Sequence, residues 1–182
     1  MIADVIPDKL LQDIPLFRML NATERRQLAE IIRIKVYKPG DVIIEQGKEC
    51  RNLWVVVEGK CEVVRHVSHK ESDQESIVLA TLEPYSQFGE MSFFHPAPHS
   101  ADVRAQTHVK LLRIAHVDYQ DLIDEGIDAA FKISHTAVET LAQRLRRMDE
   151  WIAELLAQQP NGDNHVSEWS TFREKLFSRW NL

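Results

Sequence analysis

The feature that most constrains the fold is a series of short β-rich runs between residues 33 and 115. Turn signals rich in Pro, Gly and Asp separate them, at residues 38–41, 46–47 and 58–59. Short strands at such spacing are typical of an antiparallel barrel or jelly roll, because each tight turn returns the chain beside its predecessor. The strands are predicted over 34–37, 42–44, 53–57, 61–65, 77–82, 101–105 and 110–115, with a polar hairpin loop over 65–76.

Helices are predicted on both sides of this region. Asn21 and Glu24 have the spacing of a capping box and begin a helix that continues to residue 32. Residues 118–158 have a helical pattern that Gly126 divides into a short and a long piece. The predicted class is α+β, an antiparallel β-barrel or jelly roll with N-terminal helices and a long C-terminal dimerisation helix. The chain is therefore divided into four segments: N-terminal helices over 1–32, the barrel over 33–117, the C-terminal helices over 118–158 and an aromatic tail over 159–182.

The long C-terminal helix carries a heptad pattern. Such a stripe favours a parallel homodimer through 131–155, in which Arg144 of one copy faces Asp149 of the other. Packing of the stripe against the chain's own barrel is the alternative. The a and d positions are Phe131, Ser134, Val138, Leu141, Leu145, Met148, Ile152 and Leu155.

The last segment, 166–182, is amphipathic and rich in aromatic residues. Its apolar residues include Trp169, Phe172, Leu176 and Trp180. Aromatic side chains contribute most when they are buried. The tail is expected to pack on the barrel or on a dimer partner, or else to dock on another protein.

Composition narrows the function classes. The formal net charge of −6 argues against a surface for non-specific binding of nucleic acid or membranes. No run is long enough to span a membrane and residues 1–13 lack a signal-peptide pattern, so a cytoplasmic location is expected. Cys50 and Cys61 have no CxxC partner and give little support for zinc or a disulfide framework.

Enzymatic sites have little support. The chain has eight histidines but no His-x-His motif, and His66 and His95 are expected beside a polar loop and a proline pair. No Ser or Cys lies in a recognisable nucleophile elbow. Neither a metal centre nor a catalytic residue is predicted.

The strongest functional signal is the segment FGEMSFFHPAPHSADVRA at residues 88–105. Gly89 and Glu90 precede a short apolar turn, and two prolines lead to His99 and the small pair Ser100 and Ala101. Backbone N–H groups at a helix start attract an anion, small residues allow close approach, and a carboxylate accepts hydrogen bonds from hydroxyls. The pattern indicates a site for a small anionic ligand.

This segment resembles the phosphate-binding cassette of the cyclic nucleotide-binding domain family. The family includes catabolite activator proteins, regulatory subunits of cyclic AMP-dependent kinase and nucleotide-gated channels. The resemblance extends over about residues 14–150. The main departure is His99, which replaces the Arg that grips the cyclic phosphate, and a minor one is Lys48, which stands at a turn where a small acidic or polar residue is usual. Gly89, Glu90, Ser92, Ser100, Ala101 and Val103 fall in the family's register.

The resemblance implies a set of ligand contacts. Glu90, with the backbone of Gly89, would bind the ribose 2′-hydroxyl, and Met148 and Asp149 would lie over the base. Cyclic AMP is the first choice of ligand. The predicted ligand-binding residues are Gly89, Glu90, Met91, Ser92, His99, Ser100, Ala101, Met148 and Asp149.

The sequence therefore predicts a stand-alone regulatory sensor that binds cyclic AMP or cyclic GMP and signals through its C-terminal helix. The alternative is a degenerate domain without a ligand that acts as a dimeric interaction module. Transcription factors of the family continue into a helix-turn-helix module, where this chain has only the short tail, so direct DNA binding is not expected.

Overall fold

The computed structural model describes residues 6–68 and 74–157. The chain divides into two compact units, one through Ala137 and one from Val138. The predicted tail at 159–182 lies outside the described residues. The helices are α1 (Asp8–Asp13), a 3₁₀ turn (Pro15–Phe17), α2 (Ala22–Ile31), α3 (Glu90–Phe94), α4 (His116–Asp124) and α5 (Asp128–Ala157).

The first unit contains two four-stranded antiparallel sheets rather than one closed barrel. Their strand orders are β1-β8-β3-β6 and β2-β7-β4-β5. The α+β prediction is confirmed, with the jelly roll as the form adopted. The strands are β1 (Arg33–Tyr37), β2 (Val42–Ile44), β3 (Asn52–Glu58), β4 (Cys61–Ser68), β5 (Gln74–Leu82), β6 (Gln87–Phe88), β7 (Asp102–Ala105) and β8 (Val109–Ala115).

Strand β3 is buried on both faces. Leu53 and Val55 belong to a core cluster shared with the helices, whereas Trp54 and Val56 belong to a second cluster shared with β2, β4 and β7. Because neighbouring strand residues point to opposite faces, a strand between two cores needs a continuous apolar run. Each such side chain contributes about 1.5–3 kcal/mol when buried.

The prediction of a loop over 65–76 was wrong because most of these residues belong to strands. Strand β4 continues to Ser68 and β5 begins at Gln74. The polar side chains of this hairpin, such as Arg65 and Glu75, are exposed. A strand at a sheet edge tolerates exposed polar residues, so their composition resembles that of a loop.

Helix α2 begins with the predicted capping box. The Asn21 side chain accepts hydrogen bonds from the backbone N–H groups of Thr23 and Glu24, at 2.9 and 3.0 Å. Glu24 in turn accepts from the backbone N–H of Asn21 at 2.8 Å. Its other carboxylate oxygen pairs with Lys132 of α5. The cap therefore also joins α2 to the start of α5.

Helix α5 buries one face near its start and exposes part of the heptad stripe. Ala130, Ile133 and Ala137 are buried in the first unit, where Phe131 is 70% exposed. Phe131 therefore does not pack on the chain's own barrel, as the alternative interpretation of the stripe would require. The stripe residues Val138, Leu145 and Met148 and the neighbouring Trp151 are also exposed.

A buried carboxylate connects two strands and a turn. Asp102 is 4% exposed and accepts hydrogen bonds from the Gln46 backbone N–H at 2.7 Å and from Arg104 at 2.7 Å. His66 Nε2 lies 3.1 Å from the same carboxylate, so His66 is a strand residue rather than a loop residue as predicted. Burial alone would raise the pKa of Asp102, but the bonds from Gln46, Arg104 and His66 together lower it.

We expect Asp102→Asn to destabilise the first unit by about 1–3 kcal/mol, because it leaves Arg104 and His66 without their anion. Urea denaturation at neutral pH measures this loss. Glu83→Gln is the matched control, since it removes an exposed ion pair with Lys60 and should cost less than about 1 kcal/mol. Equal stability of the two variants would contradict a structural role for Asp102.

Candidate functional site

The predicted cassette lies between strands β6 and β7 and begins at Gly89. Gly89 has a φ of +81°, and a Cβ atom there would lie 2.5 Å from the Asn52 carbonyl oxygen. Both the positive φ and the close approach require glycine. The cassette backbone therefore packs against the first residues of β3.

Helix α3 turns two polar side chains inward. Glu90 is 3% exposed and Ser92 is also buried, whereas Met91 between them is exposed. Glu90 is therefore not a surface carboxylate. A carboxylate held inside a concave segment is suited to accept hydrogen bonds from ligand hydroxyls.

His99 is fixed by its backbone and by one ring atom. Its N–H donates to the Lys48 carbonyl at 2.9 Å, and its carbonyl accepts from the Gly47 N–H at 2.8 Å. Ring Nδ1 shares a hydrogen bond with Ser92 Oγ at 3.2 Å. These contacts join the end of the cassette to the turn between β2 and β3, a contact that sequence spacing did not reveal.

His99 is 8% exposed and is therefore buried, although it lies in a loop. Burial lowers its pKa, and the nearby backbone of Cys50 opposes this in part. The imidazole is therefore neutral at physiological pH. Its Nε2 atom is buried and has no hydrogen-bond partner among the described residues. Such an atom marks a place where a ligand acceptor fits.

The other predicted ligand-binding residues differ in their solvent exposure and in the unit to which they belong. Ser100 is exposed and Ala101 is buried at the start of β7. Met148, which is 50% exposed, and Asp149, which is also exposed, lie on α5 in the second unit. Their assignment as base contacts stays a prediction.

Sequence reasoning missed Arg51, which joins the cassette to α4. Its guanidinium donates to the Phe93 carbonyl at 2.9 Å and contacts His116 Nε2. The ring of Phe93 also packs against His116 and Tyr119, with centroids 5.3 and 5.0 Å apart. Tyr119 donates to the Ala130 carbonyl at 2.8 Å, which continues the connection to the first turn of α5.

Other kinds of site find no support in the described part of the chain. No three His, Cys, Asp or Glu side chains there are grouped so that they could hold a metal ion. Cys50 and Cys61 are unpaired thiols, and burial raises the pKa of Cys61 to about 11. None of the helices in residues 6–68 and 74–157 is both long and apolar enough to cross a bilayer.

A family model described as the cyclic nucleotide-binding domain matches residues 34–125. The chain belongs to this family. The match covers both sheets and the cassette, which confirms the resemblance predicted from the sequence. The matched range thus lies within the unit in which Glu90, Ser92 and His99 are buried.

Relatives of the domain include kinase regulatory subunits. The chain is 33% identical over 98 residues to the cAMP-dependent protein kinase regulatory subunit of Mycosarcoma maydis, covering 54% of this chain and 18% of that protein. It is 29% identical over 121 residues to the subunit from Yarrowia lipolytica, covering 66% and 30%. The chain therefore spans less than a third of either relative.

Solved structures of similar domains agree with the fold. The catabolite activator protein of Thermus thermophilus is 30% identical with a TM-score of 0.66, over 78% of this chain and 62% of that one. The N-terminal domain of a transcriptional regulator from Streptomyces coelicolor A3(2) is 29% identical with a TM-score of 0.63, over 79% and 94%. These similarities place the fold of the chain within one known architecture.

We expect the domain to lose stability as the pH falls below about 6.5. Burial lowers the pKa of His99. The pKa of His116 is lowered mainly by burial and further by the positive charge of Arg51. Below the unfolded-state pKa of about 6.5 the unfolded chain therefore binds more protons than the folded one, and acid favours unfolding.

Urea denaturation at about pH 7.5, 6.5 and 5.5 measures this slope. His99→Asn should reduce the slope, and His108→Asn, at an exposed turn, should leave it unchanged. If the wild-type domain is equally stable at all three pH values, His99 and His116 do not have the lowered pKa values that burial predicts.

Proposed function

We propose that this chain is a regulatory sensor that binds a cyclic nucleotide through residues 89–101 and transmits the binding event through α5. The observation that carries the proposal is the buried cassette, in which Glu90 is an inward carboxylate and Nε2 of His99 has no hydrogen-bond partner within residues 6–68 and 74–157. Relatives named as cAMP-dependent kinase subunits and a catabolite activator protein support the same ligand class.

The ligand is held at two ends of the cassette. Glu90 accepts from the ribose hydroxyl, as the family resemblance implies, and Nε2 of His99 donates to a phosphate oxygen. A neutral imidazole gives a weaker contact than an arginine fork, because it has one donor and no charge. Cyclic AMP is the first candidate, with lower affinity than an arginine-bearing site. The domain performs no reaction in this proposal.

Transmission follows the contacts that start at Arg51. A ligand that moves α3 shifts the Phe93 carbonyl and ring, which contact Arg51, His116 and Tyr119. Tyr119 bonds to the backbone of α5 at Ala130. Each link is a direct contact within the first unit, so a change at the cassette reaches the helix through packed groups.

A second candidate function is a dimeric interaction module that has lost its ligand. The exposed heptad stripe of α5, with Val138 and Leu145, favours it. Large exposed apolar stripes mark association surfaces. The tail at 166–182 is then a further protein-binding segment. Ligand binding distinguishes this candidate from the sensor, whereas dimerisation is common to both.

We expect cyclic AMP to raise the melting temperature of the domain. At a hundred times the dissociation constant, the ligand adds about 2.7 kcal/mol to the free energy of unfolding. Glu90→Gln should abolish the shift, whereas Glu83→Gln, at an exposed residue, should retain it. Calorimetry should show that His99→Arg tightens binding roughly tenfold to a hundredfold by adding a charged fork.

If neither the wild type nor His99→Arg, both shown to be folded, gives heat with cyclic AMP or cyclic GMP, the pocket is not a nucleotide site. The interaction module is then the better description.

We expect the domain to form a parallel homodimer through the stripe. Leu145→Asp places a charge in the seam and should produce monomers in sedimentation velocity at tens of micromolar, with the jelly roll still folded. Gln143→Asp adds the same charge at an exposed position outside the stripe and should leave the dimer intact. A wild-type protein that sediments only as a monomer would exclude this assembly.

A further inference from the structure

A row of four side chains crosses the sheet β1-β8-β3-β6 and ends beside the cassette. Directly opposite residues on neighbouring strands lie on the same face of a sheet, close enough to interact. The innermost two rings of the row are stacked, with centroids 6.1 Å apart. From the outer edge inward, the row consists of Arg33, Arg113, Trp54 and Phe88, and Gly89 follows the last of these.

Arg113 is a half-buried cation without an acidic partner in residues 6–68 and 74–157. Its Nε atom is buried and has no hydrogen-bond partner among these residues. A buried donor without an acceptor destabilises a fold, and most such groups in proteins are paired. The unpaired guanidinium therefore requires an explanation.

The residue opposite Arg113 on β1 is also a cation. Arg33 is exposed and donates to the backbone carbonyls of Glu30 and Ile32, at 2.6 and 2.9 Å. Like charges at directly opposite positions destabilise a sheet. Cations on an edge strand prevent unwanted strand pairing, which accounts for Arg33 on β1. Strand β8 lies inside the sheet, so the same reason does not account for Arg113.

An aromatic side chain adjoins Arg113 on the same face. Burial raises the pKa of Tyr37, and the positive charge of Arg113 opposes that rise. The Tyr37 ring packs edge-on against Trp54, with centroids 6.2 Å apart. Asp41 also acts on Tyr37, but its carboxylate accepts a hydrogen bond from the Lys38 backbone N–H at 2.8 Å. Asp41 therefore caps its own turn and forms no ion pair with Arg113.

We infer that Arg113 and Arg33 bind a small free oxyanion, such as inorganic phosphate or a carboxylate, at the outer end of this row. Guanidinium groups present N–H forks that match the oxygens of such ions. An anion between the two cations replaces one repulsive contact by two attractive ones. The site lies outside residues 89–101, so it goes beyond the proposed nucleotide site and does not depend on it.

The row connects the inferred anion site to the cassette. A Cβ atom at Gly89 would lie 3.2 Å from Cδ1 of Trp54, so the indole packs directly against the first residue of the cassette. Trp54 is in turn the cross-strand neighbour of Arg113. The emission of Trp54 is therefore expected to report the arrival of an anion.

Thermal melting of the full chain tests the site with inorganic phosphate as the ligand. Phosphate at about 10 mM should raise the melting temperature by about 2–4 °C more than sodium chloride of equal ionic strength, which screens charges without occupying a site. Arg113→Gln should lose this rise, because it removes the half-buried fork. Lys110→Gln is the matched control: it removes a cation on the same strand that already has Glu58 at 3.6 Å, and it should retain the rise.

Two more variants guard against a loss of folding in Arg113→Gln. Arg33→Gln changes an exposed side chain and should reduce the rise. Arg113→Lys retains the charge without the fork and should keep part of it. Phosphate also stabilises proteins by exclusion from their surfaces, an effect common to all variants. An equal rise in the wild type, Arg113→Gln and Arg33→Gln would therefore overturn the inference.

Fluorescence locates the bound ion. Phosphate should change the tryptophan emission of the wild type but not that of Trp54→Phe, which keeps an aromatic ring in the row. A change that persists in Trp54→Phe would place the ion elsewhere and overturn the inference.

The inference and the proposed function fail separately. If Arg113→Gln loses cyclic AMP binding and the wild type shows no phosphate response, Arg113 belongs to the nucleotide site, and only the inference is wrong. If phosphate acts through Arg113 and no cyclic nucleotide binds, the inference stands and the proposed sensor function fails.

Discussion

The double burial of strand β3 is the constraint on which the rest of the domain depends. Leu53 and Val55 face the cluster shared with the helices, and Trp54 and Val56 face the cluster between the sheets. The same strand begins at Asn52, whose carbonyl lies against Gly89 of the cassette. Core packing and the candidate site therefore share one strand, and a shift of β3 would move both.

Much of the fold was predictable because its signals are local. The turns at 38–41, 46–47 and 58–59 located most of the strands, and Asn21 with Glu24 located the start of α2. The errors have a physical reason. An edge hairpin carries polar side chains like a loop, which hid the outer halves of β4 and β5, and β6 is too short to show a pattern.

The segment that forms the candidate site was recognisable in the sequence, but its burial and electrostatics were not. Glu90 and His99 were identified from the segment that resembles the family, yet their burial depends on contacts with the Gly47–Lys48 turn and β3, far away in the sequence. Arg51 gave no sequence signal, because its partners Phe93 and His116 are brought to it only by the fold. Local patterns identify residue types, and long-range contacts set their protonation and solvent access.

The backbone clamp on His99 separates the path of the chain from the chemistry of the side chain. Two main-chain hydrogen bonds to Gly47 and Lys48 hold residue 99 in place, and neither involves the imidazole. A different side chain at this position inherits the same loop path, provided that it fits beside Ser92. A substitution at this position can therefore change the chemical group that faces the cassette without changing the path of the main chain.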